Sequence, residues 1–357
     1  SIEYKVEYDA GSKEAFKKLL TELRGLGLTP RLYGTKQDAT LVVSKDAAAQ
    51  RVSRAPLILL SLTLISISIT GLFLSSIFEQ VSPGMPAIPM AVAFTLAVVG
   101  VLGVHELAHR NVSRKDGKGS SVPYFIPNIP VFSGLPILSF LPTFGSVTFV
   151  RKSMANRDAL FDVYFIGPLV GMAASLVVAV IGASTSAVLT QAEYAHIFTA
   201  QSNIVAVSMN ESVLQMMVKG LTTLTGLTPA VRDGAAYISS PIDIAAWVGF
   251  LVTFLSLLPA AVFDGGIMTK LVLGDRGSRA LTSLTGILLV AVDTPNYWVV
   301  VLLIFLLAAR PVAGETLDSI SEIMPSKRIL FILSLLMMLL CAPVPQNLAT
   351  FPLGLGQ

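Results

Sequence analysis

Two histidines stand four apart with a glutamate between them, in the run His105-Glu106-Leu107-Ala108-His109. On a helix, positions i and i+4 lie one above the other, so both imidazoles can grip one metal ion. Glu106 is rotated by about 100° from His105. It can stand beside the ion without binding it, where a general base for an activated water belongs. His105 and His109 are therefore candidate metal ligands and Glu106 a candidate base. The competing reading is a pair of interfacial histidines next to Arg110.

A catalytic zinc ion takes three protein ligands and keeps one position open. Cysteine does not supply the third, because Cys341 stands alone near the far terminus. A single cysteine also excludes a disulfide scaffold. His196 falls in a segment expected on the opposite side of a membrane and reads as an ordinary loop histidine. Among the carboxylates, the expected topology sets aside Asp243 and Asp293, leaving Asp264 and Asp162. Asp264 is the better placed: Pro259 interrupts the helix before it, and Gly265-Gly266 after it lets the backbone turn tightly.

The elements that must position these residues follow from composition. Of the 357 residues 53% are hydrophobic and 13% charged, about half the charge of a soluble domain. Residues 1–54 hold 17 of the 47 charged residues, leaving 30 for the other 303. The pattern predicts a mainly α, polytopic helical membrane protein of six or seven spans. It carries a small N-terminal α/β cytoplasmic domain over residues 1–50 and a membrane-embedded domain over 51–345. Residues 346–357 form a tail. Intrinsic disorder is excluded by the hydrophobicity. A net charge of +3 with no basic, aromatic-interleaved stretch argues against nucleic acid. No signal peptide is expected at the polar start.

Within residues 1–46, Ile2–Tyr8 alternates as a strand does. Ser12 reads as the cap of a helix to about Leu26, with Phe16, Leu19, Leu20 and Leu23 on one face and Gly25 and Gly27 at its end. Arg31–Gly34 and Thr40–Ser44 read as further strands. So small a unit has a marginal core and is expected to lean on the membrane domain or a partner. Spans are expected over Leu57–Phe78, Ala91–Arg110, Leu160–Gly182, Ala245–Leu258, Ala280–Val292, Tyr297–Ala309 and Ile329–Cys341. The uncharged, proline-rich stretch 119–150 predicts a re-entrant hairpin. Ser212–Leu224 predicts an interfacial amphipathic helix. Lysines and arginines cluster at alternate span ends, which predicts a cytoplasmic N-terminus and an active site toward that side.

HELAH at 105–109 and LLPAAVFDGG at 257–266 resemble the site-2 protease family of intramembrane zinc metalloproteases, peptidase family M50. The stretches 142–171, 241–259 and 325–345 are similar to its archaeal and chloroplast-type branch. The resemblance covers most of residues 51–345, with a catalytic core over about 84–275. It implies one zinc ion per chain held by His105, His109 and Asp264, with Glu106 as catalytic base. It also implies regulated proteolysis of membrane-anchored protein substrates within the lipid bilayer. Three positions depart from the family pattern: Ala108 replaces a glycine, Ser256 an asparagine that contacts substrate, and Ile267 a frequent histidine. Ser256 is carried forward as a substrate-binding candidate. Ser146 and Val147, in a β-branched stretch with Gly145, are candidates for pairing with a substrate strand. Rival readings are a membrane metal transporter, a prenyl-protein type of membrane zinc protease and a catalytically weakened binding protein.

Overall fold

The computed structural model describes residues 2–45, 54–116, 123–128, 141–147, 153–200, 209–228, 236–260, 263–292 and 316–344. It opens with β1 (Ile2–Val6), α1 (Ser12–Gly25), β2 (Leu28–Gly34) and β3 (Ala39–Lys45). These form an antiparallel sheet of order β1-β3-β2, with Tyr4 and Leu32 both opposite Leu41. Ser12 is the first helical residue rather than the cap. The reason is Asp9: its carboxylate accepts from Gly11 N and from the Ser12 hydroxyl, so the serine side chain is turned back to the preceding loop. Gly27, at φ 72°, supplies the left-handed residue that ends α1.

This unit shares its core with the rest of the chain. Leu32 N donates to Leu317 O at 2.7 Å, and Leu317 N donates to Met154 O at 2.8 Å. Phe16, Leu20, Leu32 and Ala39 are buried together with Ala155, Leu317 and Ile320. Lys13 pairs with Asp158 and Lys36 with Glu322. About 45 residues enclose too little apolar surface alone, and these distant segments complete it.

Among the described residues, three helices are long and apolar enough to cross a membrane: α2 (Ala55–Val81), α3 (Ala87–Asp116) and α4 (Arg157–Ser184). On α2 part of the polarity is reversed relative to a soluble fold: Thr63, Ser66, Thr70 and Ser75 are buried while Leu62, Ile65, Ile69 and Phe73 are exposed. That suits a helix with lipid outside. Gly71 admits α3 closely, since a Cβ there would stand 2.8 Å from the Phe94 ring.

Between α3 and α4 lies an antiparallel pair, β4 (Tyr124–Pro127) and β5 (Thr143–Val147). The remainder of the expected re-entrant stretch lies outside the described residues. After α4 come β6 (Ala187–Leu189), α5 (Gln191–Ala200), α6 (Val213–Leu224), β7 (Ala236–Ile238) and α7 (Pro241–Leu257). β6 pairs with β7. α7 is buried on nearly every side. Its approach to α4 depends on small residues: a Cβ on Gly249 would meet Ser175 Oγ at 2.3 Å, and one on Gly182 the Asp243 backbone at 2.4 Å.

α8 (Asp264–Val292) and α9 (Pro325–Cys341) complete the described elements. The sequence pattern starts the fifth apolar helix at Ala280, yet α8 begins at Asp264. The polar turn around Asp275 and Arg276 hides its helicity from a hydropathy reading. Gly274, at φ 73° and ψ −175°, breaks the backbone inside it. The expected span Tyr297–Ala309 lies outside the described residues.

Candidate metal centre

α3 carries His105, Glu106 and His109, all under a tenth exposed. At 1.5 Å per residue the two imidazoles lie roughly 10–17 Å from the C-terminal end of α3. Asp264 is the first residue of α8, not the last of the preceding helix. α7 stops at Leu257, ahead of Pro259, and the chain turns back. Gly265 permits that return: a Cβ there would stand 2.0 Å from Leu257 O.

The three side chains converge. His105 Nε2 and His109 Nε2 are 2.9 Å apart. Asp264 Oδ2 lies 3.5 Å from the first and 3.4 Å from the second. Tetrahedral ligands at zinc distances stand about 3.3 Å from one another, so the donor spacing fits a single ion. Among the described residues, this is the one His/Cys/Asp/Glu group with metal-ligand geometry. The tautomer also fits. His109 Nδ1 donates to the carbonyl of Val163 at 2.7 Å, which leaves the Nε2 lone pair for a metal.

α4 seats both imidazoles by omitting side chains. Gly167 and Gly171, four apart on α4, face His109 and His105, four apart on α3. A Cβ on Gly167 would lie 2.2 Å from His109 Nε2 and 2.4 Å from Cε1, so any side chain there would collide with the ligating end of the ring. A Cβ on Gly171 would lie 2.9 Å from His105 Nδ1. The Gly167-Pro168 pair reads from sequence as a packing device. Tyr164, buried on the same helix, meets the His109 ring edge-on at 6.1 Å; no sequence signal singled it out.

The other candidates separate. Asp162 is engaged by Lys327 Nζ at 2.5 Å. His196 is exposed on α5, and Asp243 is buried at the start of α7 against Lys219 and Gln215. Asp293 lies outside the described residues. Ser146 donates its hydroxyl to Glu106. Val147 is opposite Tyr124 in the β4–β5 ladder. Ser256 donates to the carbonyl of Thr253 at 3.2 Å, so its hydroxyl is held by its own helix. Ile267 is buried in an apolar cluster with Phe161 and Leu257.

The family model described as "Peptidase family M50" matches residues 93–292, which contain the whole cluster. The chain belongs to peptidase family M50. That family is zinc-dependent. The chain is 29% identical to the "Probable zinc metalloprotease EGY2, chloroplastic" of Arabidopsis thaliana over 75% of its own length and 43% of the relative's. It is 28% identical to the EGY2 protein of Oryza sativa subsp. indica over 70% and 42%. It is 28% identical to the "Probable zinc metalloprotease EGY1, chloroplastic" of Arabidopsis thaliana over 56% and 32%. The chain thus spans less than half the length of these relatives. No solved structure matches it.

Proposed function

We propose that this M50 member is an intramembrane zinc metalloendopeptidase. It hydrolyses peptide bonds in or near the transmembrane segments of membrane-anchored protein substrates, as a step in regulated intramembrane proteolysis. The observation that carries the reading is the convergence of Asp264, from the start of α8, on His105 and His109, which flank Glu106 on a helix apolar enough to cross a membrane. These three residues would hold one zinc ion per chain. When bound, zinc supplies a Lewis acid that polarises the scissile carbonyl and acidifies water.

The chain's own residues do the remaining work. Glu106 takes the proton from the attacking water and delivers it to the departing amide nitrogen. His109 donates its Nδ1 proton to Val163 O, which fixes the tautomer and ring orientation that present Nε2 to the site. A helical substrate hides its carbonyls in its own hydrogen bonds, so it must be held extended at the site. The β4–β5 hairpin offers Ser146 and Val147 as a strand for pairing, and Ser256, whose proton goes to Thr253 O, offers an accepting oxygen at the end of α7. In this reading the chain is multi-pass, with six or seven spans, and its N-terminus and site lie toward the cytoplasmic side.

The test compares wild type with Glu106→Gln for zinc content and for cleavage of a single-span model substrate. The variant keeps about one zinc per chain and loses cleavage by roughly 10²–10⁴-fold. Undiminished cleavage by Glu106→Gln would falsify the reading.

A further inference from the structure

Resting on that reading of Glu106 as the base, the geometry points to a second residue in proton transfer. We propose that Ser146 is a positioning residue: its hydroxyl holds one carboxylate oxygen of Glu106 and so fixes the orientation in which the base exchanges the proton. Ser146 Oγ donates to Glu106 Oε1. Glu106 is buried on α3 and Ser146 is half-buried on β5, so the contact joins two elements 40 residues apart in the chain.

The strand that carries Ser146 is fixed at several points. Phe125 lies opposite Ser146 in the β4–β5 ladder. Thr143 Oγ1 donates to Ile126 O at 2.8 Å and accepts from Gly145 N at 3.1 Å. Ser66 of α2 donates to Pro142 O at 2.9 Å, just before the strand, and also to Asn128 O just after β4. Gly145 adopts φ 89°, and a Cβ there would come within 3.2 Å of Val252 on α7. The hydroxyl is therefore presented by a backbone anchored on α2 and running flush against α7.

A glutamate side chain has three rotatable bonds, and fixing it costs rotamer entropy at the moment of reaction unless that cost is met in the folded state. A charge-assisted hydrogen bond from a fixed donor meets it beforehand. A serine suits the task because it donates one proton to Oε1 and has no charge to compete with the metal ligands. This assigns Ser146 a role distinct from backbone pairing with substrate, which uses the main chain of the same strand.

The experiment uses full-length, zinc-loaded wild type, Ser146→Ala, Ser146→Cys and Ser146→Thr with the single-span fluorogenic substrate in detergent. Ser146→Ala and Ser146→Cys lower kcat by roughly 10–100-fold, the usual cost of losing a partner that orients a site group. KM and zinc content stay at wild-type values. Ser146→Thr, which retains the hydroxyl, restores kcat. A second readout needs neither metal nor substrate. The Glu106 carboxylate stretch, isolated as the infrared difference between a metal-free protein and its Glu106→Gln counterpart, shifts in Ser146→Ala and not in Ser146→Thr. Wild-type kcat in Ser146→Ala, or a loss confined to KM, overturns the proposal. With Glu106→Gln inactive, either result removes only Ser146's role. With Glu106→Gln fully active, the assignment of the base itself fails.

Discussion

Two buried ionisable clusters sit at opposite ends of the α4–α7 pair, and they resolve the cost of burial differently. At one end Asp243, fully buried, has Lys219 Nζ at 3.0 Å and Gln215 Nε2 at 3.0 Å. The same lysine bonds Glu211 and lies 4.1 Å over the Tyr237 ring. The side chains supply their own cation. At the other end His105, His109 and Asp264 turn their donor atoms toward one point, and among the described residues no lysine or arginine pairs with Asp264. A carboxylate in low dielectric needs a counter-charge. Where a lysine stands beside the carboxylate, the cluster is a tie between α6 and α7; at the other end the partners are histidines, whose Nε2 atoms can also bind a metal.

The largest effect should come from removing a donor at the metal end. His105→Ala and Asp264→Ala are expected to lose zinc, measured by elemental analysis of the purified protein, and with it all cleavage. Asp162→Ala is expected to keep both, because Asp162 is held by Lys327. Full zinc in Asp264→Ala together with loss in Asp162→Ala would reverse the ligand assignment. Gly167→Ala tests the same end from α4. Its methyl would intrude on His109 Nε2, and a chelator competition should show zinc affinity lowered by about 10–100-fold.

At the lysine end the expected loss is of stability. Lys219→Met strands Asp243 in the interior. Removing one partner of a buried pair costs about 3–5 kcal/mol, to be read as a lower unfolding midpoint in detergent. Zinc content should be unchanged. Simultaneous loss of zinc would show that the two clusters are one unit, and the contrast between them would fail.

The metal end was legible from sequence to the degree that its chemistry is local. His105 and His109 share one helix face and Glu106 stands next to it, so spacing alone groups them. Asp264 could be picked out because Pro259 and the paired glycines mark a broken helix. The spans of α2, α3 and α4 showed themselves as unbroken apolar runs. What the sequence hid depends on contacts between distant residues. Nothing near Asp162 announces Lys327, 165 positions away, and nothing near Ser146 announces Glu106. Gly167 and Gly171 gained meaning only when α4 was laid against α3. The helix start at Asp264 was missed because the polar residues around Asp275 and Arg276 interrupt the apolar pattern, and hydropathy scores only apolar runs.

The smallest expected effect lies at the exposed surface, where a charged contact joins Lys36 of the N-terminal unit to Glu322 at 2.6 Å. Both groups are solvent-exposed, so salt screens the pair and its contribution is slight. Its pH dependence still has a definite sign. The hydrogen bond from Lys36, then its charge, lowers the Glu322 pKa below 4.5, and the same contact raises that of Lys36 above 10.5. A carboxylate with a depressed folded pKa adds stability above its unfolded value and loses it as pH falls through the folded one. A lysine with a raised pKa adds stability below 10.5 and loses it as pH rises through the folded value. The pair therefore supports docking across the neutral range and weakens at both extremes. Glu322→Gln should remove the acidic part of that dependence, measured as protease protection of the N-terminal unit, and added salt should mimic the substitution. Zinc content and cleavage should not follow, because the pair touches neither buried cluster. A parallel change in cleavage would show that docking of the first 45 residues reaches the metal end through Ala155 and Asp158, at the start of α4.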